Sequence, residues 1–212
     1  AAGAAKAAAY MLLNHEEITT VSLMTPKGIL LNLEVLDISR QENQVSCAIR
    51  KDGGDDPDAT NGILVYAQVK KCLEKGIWID GGKGVGRITR PGLEQPVGNA
   101  AINRVPRLMI QQGLEEICEL TGYEGGLSVV ISIPEGEKIA EKTFNPRLGI
   151  EGGISVLGTS GIVEPMSETA LIRSIQVEMN MLIVSGAQYL LVTPGNYGQT
   201  FVREQMHLNL DK

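Results

Sequence analysis

A chain of 212 residues with 43% hydrophobic and 21% charged side chains has enough apolar mass for one large domain or two small ones, and its balance excludes the disordered and membrane-embedded classes. A formal net charge of −6 argues against a general nucleic-acid surface, which needs a basic field to neutralise phosphates, and aromatic residues at 4% leave few stacking platforms. The opening, AAGAAKAAAYMLLN, predicts an alanine-rich helix that runs on into folded sequence; no cleavage-like break marks it as a signal peptide. The chain starts inside that helix without Met, so residues upstream are expected.

Strands are expected at residues 18–23, 29–36 and 45–49, with Pro26, Lys27 and Gly28 as the first turn. Pro57, after Asp55 and Asp56, offers a helix start. The β-rich run 63–69 predicts a strand, with 77–79 pairing against it. Gly81, Gly82, Gly84 and Gly86, followed by Pro91, Gly92 and Pro96, predict about twenty residues of loop or bulge outside the core. Helical spacing of Val105, Leu108, Met109, Leu114 and Ile117 predicts a helix over 103–120, ending at Thr121 and Gly122, and 127–133 reads as a strand.

From Gly149 the style changes to strand (154–157), loop, long helix, strand (189–192), loop and helix. The long helix is expected to begin at 165–167, to bury Leu171, Ile175, Met179 and Leu182, and to stop at Gly186. Its C-terminal apolar run, 181–192, is broken by Ser185, Gly186 and Gln188 and cannot span a bilayer. The expected fold is thus two domains of mixed α/β and α+β class. Residues 1–148 form a mixed-sheet α+β domain; 149–212 begin a parallel-sheet, Rossmann-like α/β domain, whose two strands are too few for a stable sheet, so a complete gene is expected to continue.

Two parallel strands joined by a helix would bring two polar turns to one carboxyl edge, where open α/β sheets bind cofactors. The first turn is Gly158, Thr159, Ser160 and Gly161; the second runs from Thr193 through Pro194, Gly195 and Asn196 to Gly198. Glu164, just past the first, can accept ribose hydroxyls, although Glu-Pro is also a plain helix start. Neither GxGxxG nor the phosphate loop occurs.

Asp52, Asp55, Asp56 and Asp58 crowd one loop, where mutual repulsion suits a metal or a base, or where they simply cap backbone amides in a solvated turn. Arg87, Arg90, Arg104, Arg107 and Arg147 lie in or beside Gly/Pro loops; such forks hold a polycarboxylate, or pair with local acids. Two histidines and no GxSxG argue against serine–histidine catalysis and histidine-rich zinc sites. Cys47, Cys72 and Cys118 are odd in number, form no CxxC pair, and read as buried thiols of a cytoplasmic protein.

KDGGDDPDATNG, IDGGKGVGRITRPGL, AINRVPR, KTFNPRLGIEGGISVLGTSGIVEPMS and LVTPGNYG, in this order, closely resemble the CbiD family, the cobalt-precorrin-5B (C-1)-methyltransferases of anaerobic cobalamin biosynthesis, over residues 1 to about 200. The resemblance implies methyl transfer from S-adenosylmethionine to carbon 1 of a corrinoid, on a two-domain fold, with cobalt present only as part of the substrate and no protein metal site. It implies the donor on Gly158, Thr159, Ser160, Gly161, Glu164, Thr193, Pro194, Gly195 and Asn196. The corrinoid would meet Gly82, Gly84, Arg87, Arg90, Arg107, Asn145 and Arg147, and Asp52, Asp55 or Asp56 would take up the released proton. Partners are then the small-molecule corrinoid, a homo-oligomer and transient contact with neighbouring pathway enzymes, without nucleic acid or membrane. A non-catalytic corrinoid carrier is the rival reading; a phosphoryl-transfer domain is disfavoured by the missing phosphate-loop lysine.

Overall fold

The computed structural model of the protein describes residues 1–54, 60–163, 168–192 and 195–207. Helix α1 (Ala2–Asn14) is buried nearly all round from Ala2 to Leu12, because alanine adds so little bulk that a sheet, a hairpin and a second helix can all approach it. Its amide ladder ends at His15, in the left-handed region at φ 60. Strands β1 (Thr20–Met24) and β2 (Leu30–Glu34) form an antiparallel hairpin over the expected turn. Buried Thr25 fastens that turn: its hydroxyl donates to the Ile29 carbonyl at 3.0 Å and accepts from the Ile29 N–H at 3.1 Å.

Next come β3 (Leu36–Gln41), β4 (Gln44–Arg50), β5 (Leu64–Cys72), β6 (Gly76–Gly81), the short β7 (Gly84–Val85) and β8 (Arg87–Ile88), helix α2 (Arg104–Thr121) and β9 (Gly126–Ser132). The main sheet orders as β3-β4-β5-β9-β6, antiparallel except for β6 on β9. Helix α1 packs on β4, β5 and α2, enclosing Met11, Val45, Val69, Ile110, Leu114 and Leu127. Cys47 is buried there, donating to the Ala4 carbonyl at 3.2 Å; burial pushes its thiol up to about 12. Cys72 and Cys118 are only half-buried, contrary to expectation.

Strand β3 was hidden because its pairing is irregular. The register slips between Leu36 and Ser39, Asp37 sits at φ 49, and the Tyr66 hydroxyl donates to Asp37 Oδ2 at 2.6 Å. The expected pairing of 77–79 with 63–69 is also corrected: β9 lies between them. Gly126 makes this possible, since a Cβ there would meet the Glu74 carbonyl oxygen at 1.7 Å, so the start of β9 passes tight beneath the β5–β6 link.

The glycine cluster expected as loop is core. Helix α3 (Gly136–Ala140) and strands β10 (Ile150–Glu151) and β11 (Gly153–Ile154) complete it, β10 pairing antiparallel with β8 and β11 parallel with β7, while Val156 bridges to Ile102. The boundary expected between 148 and 149 lies directly before the strands that pair with β7 and β8.

Helix α4 (Glu168–Val184) ends before Gly186 at φ 94, as expected, but its apolar stripe is not buried: Leu171 is 63%, Ile175 42% and Leu182 38% exposed. Met181 is the buried contact, lying against Gly92. Residues 189–192 form no strand, and Tyr189 is 90% exposed. An extended run needs a neighbour to take its backbone hydrogen bonds, and among the described residues none pairs with it. The second polar turn is corrected as well, since Gly195–Gln205 is helix α5 from its first residue. The parallel strand pair that was to bring both turns to one sheet edge is thus not formed. The helix starts expected at Pro57 and at 165–167 lie outside the described residues.

Candidate functional site

Most of the sequence-predicted substrate residues meet in the seam where β7 and β8 face β10 and β11. Gly84, at φ 74, has no room for a side chain: a Cβ would stand 1.7 Å from the Ile133 carbonyl oxygen. At Gly82 a Cβ would meet Ser132 Oγ at 2.5 Å. Gly84 thus serves close approach of backbone to backbone, and Gly82 makes room for the Ser132 and Val130 side chains.

Arg87 and Arg107 serve the same seam. Arg87 forks onto Asp80, Nη1 to Oδ1 at 2.6 Å and Nη2 to Oδ2 at 2.7 Å, and Nη2 also donates to the Gly81 carbonyl at 2.8 Å. This fork holds the Asp80 carboxyl below the usual carboxylate range and raises the guanidinium in turn. Arg107 donates to the carbonyls of Ile102 at 2.8 Å, Ile79 at 2.9 Å and Ala100 at 3.4 Å, and burial lowers its pKa. Because the Gly82 N–H points to Ile131 on β9, the carbonyls of Ile79 and Gly81 point to the free edge of β6. Two arginines therefore cap that edge, blunting it against strand addition.

Asn145 and its loop form the other flank. Asn145 is buried, its Nδ2 donating to the Gly153 carbonyl at 3.4 Å, its Oδ1 accepting from the Ser155 hydroxyl at 3.5 Å, and its carbonyl accepting from the Ile150 N–H at 2.9 Å. Around this pin, Arg147 and Arg90 stay exposed and make no ion pair among the described residues. Arg147 lies over the Phe144 ring, 5.7 Å from its centroid. Arg90 runs its stem along Gly149, where a Cβ would touch its Cγ at 2.6 Å. Across the loop, toward α3, an open depression of about 380 Å³ carries Glu137, Glu141 and Glu151 and repels polyacids.

The other described predicted residues make local contacts of their own. Asp52 Oδ1 accepts the Gly54 N–H at 2.8 Å, a capping role within the acidic turn, while Asp55 and Asp56 lie outside the described residues. In the 158–161 turn, Gly158 has φ 147 and Gly161 φ 76, and Gly161 packs against Thr25 and Pro26 of the β1–β2 turn. Ser160 Oγ donates to the Ile162 carbonyl at 2.8 Å; Thr159 is exposed. Glu164, Thr193 and Pro194 are outside the described residues, and Gly195 and Asn196 open α5. Among the described residues no cluster of side chains could hold a metal ion.

Sequence reasoning missed Asp80, which determines what Arg87 can do, and Phe144, one of only two phenylalanines in the chain, whose placement in a proline-bearing polar loop was the available signal.

A family model described as CbiD matches residues 1–165. The chain is 58% identical over 212 residues to the cobalt-precorrin-5B C(1)-methyltransferase of Ruminiclostridium cellulolyticum, covering all of this chain and 55% of that protein. It is 51% identical over 205 residues to the protein of the same name from Thermoanaerobacter sp. (strain X514), covering 97% and 55%. The crystal structure of the cobalamin biosynthesis protein from Archaeoglobus fulgidus superimposes with a TM-score of 0.58 at 28% identity, over 97% of this chain and 65% of that one. The chain spans about half the length of the curated relatives it matches.

Proposed function

This chain belongs to the CbiD family, and on that premise we propose that it serves the S-adenosylmethionine-dependent methylation of carbon 1 of cobalt-precorrin-5B, giving cobalt-precorrin-6A in anaerobic cobalamin biosynthesis. One observation carries the reading: 58% identity, spread over the entire chain, to a protein named for that reaction. The corrinoid side is assigned to residues 1–148 and the donor side to 149–212, tied together by the strands at 150–154.

S-adenosylmethionine, when bound, supplies a methyl group on a sulfonium whose charge disappears on transfer, so the protein needs no strong acid. What it needs is alignment of the reacting atoms and exclusion of water. The donor is assigned to Gly158, Thr159, Ser160 and Gly161, together with Glu164 and Thr193 to Asn196. The described part of this set fits a polar ligand through its backbone: nothing stands where a side chain on Gly158 would project, Thr159 is exposed, and the Ser160 hydroxyl is already engaged by Ile162. A carboxylate among Asp52, Asp55 and Asp56 is assigned the proton released by the ring. Calorimetric titration with S-adenosylhomocysteine tests the donor assignment. Saturable binding that Gly158→Val weakens at least about tenfold is expected; absence of binding would leave a corrinoid carrier as the better reading.

A further inference from the structure

Of four arginines assigned to the corrinoid, the fold occupies two. Arg87 is held by Asp80 and Gly81, and Arg107 by three backbone carbonyls. The two left with exposed guanidiniums and no acidic partner among the described residues are Arg90 and Arg147, in a chain of net charge −6. They share one short stretch of backbone. The Thr89 N–H and hydroxyl both donate to the Gly149 carbonyl, at 2.8 and 3.0 Å, which sets Arg90 beside the loop that bears Arg147.

That loop is held by its own hydrogen bonds. Leu148 N–H donates to Phe144, Gly149 N–H to Pro146 and Ile150 N–H to Asn145, while buried Asn145 pins the whole turn to Gly153 and Ser155. Phe144 nevertheless leaves 70% of its surface exposed, with the Arg147 guanidinium laid over its ring. A stacked guanidinium loses little freedom on forming its hydrogen bonds and still offers its outer N–H groups. An exposed aromatic ring with one guanidinium stacked on it, and a second unpaired arginine whose stem lies along Gly149 of the same loop, suits a flat ligand with anionic carboxylates on its rim.

We infer that Phe144, Arg147 and Arg90 form the docking patch for the carboxylate-bearing edge of the corrinoid, Phe144 meeting the macrocycle or its methylene arms and the two arginines binding carboxylates. The inference rests on the corrinoid reading above and assigns to Phe144 a role that composition and spacing did not suggest. It also predicts that Arg87 and Arg107 bind no substrate carboxylate.

The test is a spectrophotometric titration of the chain with cobyrinic acid, a cobalt corrin with free carboxylate arms, and with cobinamide, whose arms are amides. The proteins compared are the unaltered chain, Arg90→Gln, Arg147→Gln, Phe144→Leu and, as control, Arg173→Gln on the exposed helix α4. Expected are about tenfold weaker cobyrinic acid binding for each patch arginine and a several-fold loss for Phe144→Leu. Arg173→Gln should match the unaltered chain, cobinamide should bind at least about tenfold more weakly than cobyrinic acid, and melting temperatures should be unchanged. Unaltered binding by both Arg90→Gln and Arg147→Gln, or equal affinity for the two corrins, would overturn the patch while sparing the corrinoid reading. No binding of cobyrinic acid by the unaltered chain would overturn both.

Discussion

The two ends of this chain handle apolar surface in opposite ways. In the region built on α1, α2 and the five-stranded sheet, alanines and glycines let elements approach closely, and the Arg107 guanidinium is satisfied by backbone carbonyls. In the α4–α5 region, Leu171, Ile175 and Leu182 stand in a helical stripe with nothing described against most of it. The first region specifies itself; the second carries the pattern of a core without the core. Amphipathicity is written in local sequence, whereas the surface that answers it is not.

Substitutions can break or sharpen this contrast. Gly84→Ala should have the largest effect, because a methyl would overlap the Ile133 carbonyl and the positive φ disfavours any side chain; a loss of more than about 4 kcal/mol is expected in urea unfolding. Leu114→Ala, at a fully buried position of α2, should cost about 3 kcal/mol in the same measurement. A result below about 1 kcal/mol at either site would mean that the first region is looser than described.

Arg87→Gln should cost about 1 kcal/mol at most at neutral pH, since both partners are partly exposed and screened by solvent. Its pH dependence has a definite sign. Asp80 has a lowered pKa in the folded chain, so the pair stabilises the fold above the unfolded carboxylate value and loses that contribution as pH falls through the folded one. The difference between Arg87→Gln and the unaltered chain should therefore begin to shrink as pH falls below about 4, the unfolded carboxylate value, and vanish only below the lower, folded one. The smallest effect is expected at Leu171→Gln, within about 0.5 kcal/mol by thermal melting. A loss above about 2 kcal/mol there would show that α4 is covered in solution and would erase the contrast.

Much of the architecture was legible. Helices α1 and α2 followed from alanine content, apolar spacing and Gly122, which ends α2 at φ 64. Strand runs were visible as well, but not their partners. That β9 separates β5 from β6 depends on the absence of a Cβ at Gly126, some fifty residues from the carbonyl it must clear, and no local pattern records such a contact. The glycine cluster was visible as unusual and misread as loop, because glycine for a turn and glycine for close approach look alike until the second backbone is known.

The candidate site shows the same limit. Five arginines in loops read as one electrostatic set. Their division into occupied and open members depends on Asp80, on the carbonyls of Ile79, Ala100 and Ile102, and on the Asn145-pinned loop, none of which is adjacent in sequence to every arginine it governs. The family's motifs, by contrast, were readable at once, since long runs in fixed order need no folding to be compared.

Methyl transfer itself gives the most direct measurement. The chain is incubated with cobalt-precorrin-5B and S-adenosylmethionine carrying a carbon-13 methyl group, and the corrinoid is examined by mass spectrometry and carbon NMR. The account predicts one labelled methyl, at carbon 1, appearing only with donor and protein together. A corrinoid that binds the chain and is recovered unlabelled would contradict it.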